Sequence, residues 1–79
     1  MCRNITPLRG LEPDATTAEI EAAALQFVRK VGGIQTVSAK TEAAVNRAVG
    51  AIAEITTQLL DELPPRQAPP KTVPPLRRR

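Results

Sequence analysis

The sequence predicts an all-α fold: a two-helix hairpin with an irregular N-terminal arm and a Pro-rich extended C-terminal tail. Three observations predict it. Apolar residues recur three and four apart over two separate stretches, the spacing of one face of a helix. A Gly pair, Gly32-Gly33, lies between the stretches, and a Pro pair, Pro64-Pro65, closes the second. The Pro pairs 64/65, 69/70 and 74/75 then recur every five residues, a pattern that favours polyproline II over a packed core. The chain accordingly divides into an arm (residues 1–15), a helical body (16–63) and a basic tail (64–79).

In the arm, Pro7, Gly10 and Pro13 interrupt any regular pattern. Ile5, Leu8 and Leu11 lie three apart, which allows the arm to lay an apolar edge on the body. The first helix starts at Thr16 as N-cap, with Glu19 three residues on as its capping-box partner. Ile20, Ala23, Ala24, Phe27, Val28 and Val31 form its stripe. Arg29 and Lys30 fall in its last turn, facing the negative end of the helix dipole, and the Gly pair ends it. Ile34 to Val37 is a connector, too short to make a sheet alone. Ser38 is the expected N-cap of the second helix, with Thr41 as a later start. That helix is expected to run to about Glu62. Val45, Val49, Ile52, Thr56, Leu59 and Leu63 alternate four and three apart, a heptad-like seam widened by Ala48, Ile55 and Leu60. Gly50 sits mid-helix. It marks either an exposed face that tolerates glycine or the close approach of another backbone.

Composition narrows the function. The 79 residues contain no His, one Cys and one aromatic, Phe27. Without His the usual general base near neutral pH and the commonest metal ligand are both absent. A single Cys makes neither an internal disulfide nor a multi-cysteine metal site. Adjacent carboxylates such as Asp61-Glu62 diverge on a helix, so no acid pair converges. The reading is therefore a non-enzyme with no cofactor. No run of about 18 apolar residues occurs, so no membrane span is expected. No signal-peptide-like segment is apparent either, and an unpaired Cys2 suits a reducing cytoplasm.

The net charge of +3 is unevenly placed. Residues 1–63 hold six basic and eight acidic side chains, a net −2, whereas residues 64–79 hold Arg66, Lys71, Arg77, Arg78 and Arg79 with no acid, a net +5. Such a tail can contact phosphates by salt-sensitive, sequence-blind binding, and Arg29 and Lys30 would extend the basic surface. No aromatics interleave with these cations, so base stacking is not expected. No two prolines are three apart, which leaves out P-x-x-P recognition. A solvated, solubilising tail is the plain alternative.

The body is short of core. Alanine-rich helices bury little apolar area, and a chain this small seldom gains more than about 3–5 kcal/mol from a single core. Docking on a larger protein or ribonucleoprotein assembly is therefore expected, with Phe27, Val45, Val49, Ile52, Leu59 and Leu63 as the partner interface. A homodimeric four-helix bundle with an idle tail is the alternative. A third reading gives Cys2 a metal or redox role if Met1 is removed, since its thiol and α-amine would then lie together beside Arg3. No His or second Cys is present to complete that site.

The opening MCRNI, with AAALQFVRKVGG and EAAVNRAVGAIAEI, resembles an uncharacterised family of short bacterial proteins. Its members begin Met-Cys-Arg-Asn-Ile and carry an LQFVRK-type helix. The resemblance spans about residues 1–63 and implies a bacterial source and a helical body, but no activity. It adds weight to Cys2, Arg3 and Asn4. The chain departs from the pattern at Ile34 to Val37, where the family is more basic, has Pro before the serine, and has an aromatic where Val45 stands. The tail lies outside the resemblance.

Overall fold

A computed structural model describes residues 5–11, 13–64 and 74–77. Its elements are α1 (Thr17–Gly32), α2 (Glu42–Glu62) and a single 3-10 turn, Pro75–Arg77. The two helices form the expected hairpin, and no strand occurs among the described residues.

The start of α1 follows the sequence closely. Thr16 is extended (φ −86°, ψ 163°), and its side chain accepts from the Glu19 N–H while the Glu19 carboxylate accepts from the Thr16 N–H. At the other end Gly33 takes the left-handed conformation (φ 63°), which an L side chain adopts only at a cost. Its N–H and that of Ile34 close onto the carbonyls of Lys30 and Arg29.

The entry to α2 is a compromise between the two expected starts. Ser38 accepts the backbone N–H of both Thr41 and Glu42, and its own N–H donates to Thr41 Oγ1. Ser38 thus opens a helical turn, while the regular helix begins after Thr41, which is already α-helical and makes no side-chain cap. The helix is accordingly 21 residues long, shorter than the sequence pattern predicts. Leu63 turns extended (φ −73°, ψ 143°) before the Pro pair.

The core is small. Its buried apolar residues are Leu11, Ile20, Ala24, Val45 and Ala53, and no large side chain is fully buried. Ile20, Ala24 and Ala53 pack together, with Leu8, Ala15, Val49, Ile52 and Leu60 against them. The arm thus supplies Leu8 and Leu11, whereas Ile5 stays 42% exposed.

The expected stripes are corrected at their rims. Phe27 is 46% exposed and Leu59 50%, while Leu60 turns inward in place of Leu59. Small residues explain the shift. Ala24 and Ala53 let the two backbones approach closely, so the seam follows them and the larger side chains are pushed to its edges. The α2 stripe is wider than α1 can cover, which leaves Ile55 64% exposed as well.

The tail differs from its expected extended form at Pro74–Arg77. Pro74 is buried, and the Arg77 N–H donates to the Pro74 carbonyl at 2.9 Å, closing a turn. Residues 65–73, 78 and 79, on which the rest of the pentad reading falls, lie outside the described residues, as does Cys2.

Gly50 has open space where a Cβ would stand, so the exposed-face reading holds for it within the hairpin. Gly50→Ala should therefore raise stability by about 0.5–1 kcal/mol, whereas Gly33→Ala should lower it by about 1 kcal/mol. Urea midpoints of the two variants test this; a Gly50→Ala chain less stable than the parent would show that another backbone needs that space.

Candidate functional site

The polar structure of the molecule gathers where α1 begins. The local sequence dictates half of it. Thr16 and Glu19 form the capping box, which uses one carboxylate oxygen of Glu19, Oε1, at 2.9 Å from the Thr16 nitrogen. The second oxygen is left for a partner from elsewhere.

Arg77 supplies that partner from 58 residues away. Its Nε donates to Glu19 Oε2 at 2.5 Å and its Nη2 to Oε1 at 3.0 Å, a two-pronged contact matched to the fork of the guanidinium. The same Nη2 also lies 2.7 Å from the Pro13 carbonyl and 3.1 Å from that of Asp14. Four oxygens from the arm and the first turn of α1 thus converge on one guanidinium. Glu19 is only 5% exposed, the one buried charged or polar residue among those described.

The electrostatics agree with the geometry. The Arg77 hydrogen bonds, with help from the Thr16 N–H, hold the Glu19 carboxyl below the usual carboxylate range, against an opposing push from burial. The Glu19 carboxylate in turn raises Arg77 above its ordinary value. The pairing thus favours the charged form of Glu19.

A second arginine makes a similar strap. Arg9 donates from Nε (3.0 Å) and Nη2 (2.8 Å) to the Pro64 carbonyl just beyond α2. The arm is thus tied to the end of one helix by Arg9, and the tail to the start of the other by Arg77.

Of the basic residues that the sequence groups together, the structure describes Arg29, Lys30 and Arg77. Arg77 is engaged with Glu19. Arg29 donates to the carbonyls of Ile34 (3.3 Å) and Gln35, fastening the connector beyond α1. Lys30 is exposed on α1. Arg66, Lys71, Arg78 and Arg79 lie outside the described residues. Of the expected partner interface, Val45 is buried, and Val49, Ile52 and Leu63 are half-buried. Phe27 and Leu59 alone of that set are exposed.

Sequence reasoning missed the pairing of Glu19 with Arg77 and of Arg9 with Pro64. Two signals pointed toward the first: a capping-box carboxylate with an oxygen to spare, and opposite net charges on body and tail. Neither signal names the residue. Among the described residues, no group of three or more His, Cys, Asp or Glu could hold a metal ion, and no helix is long and apolar enough to cross a membrane.

One protein-family model, described as an uncharacterized conserved protein, matches the chain over residues 1–79. The match includes the tail, so the boundary drawn at about residue 63 on resemblance is too short. No curated protein and no solved structure matches the chain.

The lowered Glu19 carboxyl gives a pH dependence with a fixed sign. Between that lowered value and the ordinary carboxylate value the folded chain binds fewer protons than the unfolded chain, so stability rises with pH across this window. The contribution is complete above the ordinary value and is lost as pH falls through the lowered one. The drop in urea midpoint from about pH 7 to about pH 3 should thus be smaller in Glu19→Gln than in the parent. An equal drop in the two would remove Glu19 as its source.

Proposed function

The chain belongs to the DUF2277 family of uncharacterized conserved proteins, and we propose that it is a non-enzymatic helical interaction module that docks on a larger assembly. The observation that carries this reading is the distribution of apolar side chains. The largest residues of the buried core are Leu11 and Ile20, while Phe27, Val31, Ile55 and Leu59 remain 46%, 71%, 64% and 50% exposed. Covering each would yield on the order of 1 kcal/mol. Phe27, as an aromatic on a rigid helix, is the natural anchor of such a contact.

The tail supplies the second half of the proposal. Arg77 is committed within the chain, but Arg66, Lys71, Arg78 and Arg79 remain as an acid-free group of cations. These would contact an anionic surface of the assembly, a nucleic acid or ribonucleoprotein, together with Lys30 on α1. The unpaired Cys2 suits a reducing, cytoplasmic setting. A homodimer is the second reading, since the same exposed apolar residues could cover one another about a two-fold axis.

Sedimentation separates the two readings: a monomer at micromolar concentration excludes the homodimer. In the docking reading, Phe27→Ser and Leu59→Ser leave the helical circular dichroism unchanged and abolish recovery of the assembly with the tagged chain. Recovery that survives both substitutions would reject these residues as the contact. Replacing Arg66, Lys71, Arg78 and Arg79 by Gln should also weaken RNA binding and lower its dependence on log salt by a slope of up to about 3. An unchanged slope would reject the anionic contact.

A further inference from the structure

We propose that the start of α1 is an arginine-recognition site whose built-in ligand is Pro74–Arg77, and that it takes the same Pro-x-x-Arg segment from a separate peptide when residue 77 cannot fill it. The site is fully specified by the arm and the first turn of α1. Thr16 fixes the rotamer of Glu19 through the capping box, and the carbonyls of Pro13 and Asp14 stand beside the carboxylate. All four acceptors come from the arm and the first turn of α1, and none from the tail.

The geometry reads the ligand at two positions and ignores a third. Arginine is required because its donors must reach both Glu19 oxygens while Nη2 also meets the two carbonyls; a lysine ammonium presents its donors from a single nitrogen and cannot span that set. Proline three residues earlier is favoured because Pro74 is buried; its carbonyl accepts the Arg77 N–H, as the carbonyl of any residue there would. Pro75 restricts the turn in advance and so lowers the entropy lost on binding. The position before arginine is not read, since Leu76 is 58% exposed.

The tether explains why the site is closed in the intact chain. Nine residues separate Pro64 from Pro74, so Arg77 competes as an intramolecular ligand, at an effective concentration above that of most free peptides. The site is independent of the apolar contact proposed above, because it uses none of Phe27, Val31, Ile55 and Leu59.

The test uses full-length Arg77→Ala chain and a fluorescent peptide of residues 74–79, Pro-Pro-Leu-Arg-Arg-Arg, followed by anisotropy. Arg77→Ala should bind it about tenfold or more tighter than the parent chain does. The same chain should lose the peptide that carries Ala or Lys at its fourth position and keep the one with Ala at its third. Adding Glu19→Gln should abolish binding, while the Gln side chain still accepts the Thr16 N–H and preserves the cap. Equal binding by parent and Arg77→Ala, or equal binding of the Arg and Ala peptides, overturns the proposal. Should Arg77→Ala lose its helical circular dichroism, the parent chain decides by NMR. Its Arg77 Nε–H should be protected from solvent exchange and lose that protection in Glu19→Gln. An unprotected Arg77 Nε–H in the parent overturns the proposal as well.

Discussion

Glu19 serves two partners with one carboxylate, and the rest of the structure hangs on that double use. Its Oε1 faces the Thr16 N–H and fixes where α1 begins. Both oxygens then receive Arg77, which fixes where the tail ends up. A buried charge is costly without a partner, and the Arg77 guanidinium supplies that partner to Glu19. Helix start, arm path and tail path are therefore mutually dependent. The carbonyls of Pro13 and Asp14 bring the last residues of the arm into the same arrangement.

This polar closure compensates for a poor core. Close approach at Ala24 and Ala53 brings the helices together but leaves few large side chains between them. The arm adds Leu8 and Leu11, and the two arginine straps fasten arm and tail at one end of the hairpin. At the other end, where α1 finishes and α2 starts, the connector is held by Arg29 and the Ser38–Thr41 turn. Phe27 and Val31 lie toward that less covered end of α1, and this accounts for their exposure.

The elements were legible wherever the deciding signal is local. Thr16 with Glu19, the Gly32-Gly33 stop and the Pro64-Pro65 stop each act through neighbours in sequence, and the helices begin and end beside them. The face of each helix was legible only in outline. Periodicity marks Leu59 and Leu60 almost equally, and the choice between them depends on the close approach at Ala24 and Ala53. The Arg77 contact was least legible. Charge separation between body and tail indicated attraction, but five cations compete for eight acids, and only geometry selects Glu19. The candidate interface was half legible for the same reason: Val45, Val49, Ile52 and Leu63 have the right pattern for a partner, and the hairpin itself uses them.

The two straps also have a kinetic meaning. Arg9 and Arg77 join positions 55 and 58 residues apart in sequence, while the hairpin contacts span much shorter loops. Closing a long loop costs more entropy than closing a short one, although a doubling of length adds only about 0.6 kcal/mol, so the straps gain most when they close over a hairpin that is already formed. Interactions that form after the folding barrier are the ones that slow escape from the native state. Straps that close in that order act as latches: losing Arg9 or Arg77 would speed unfolding more than it would slow folding.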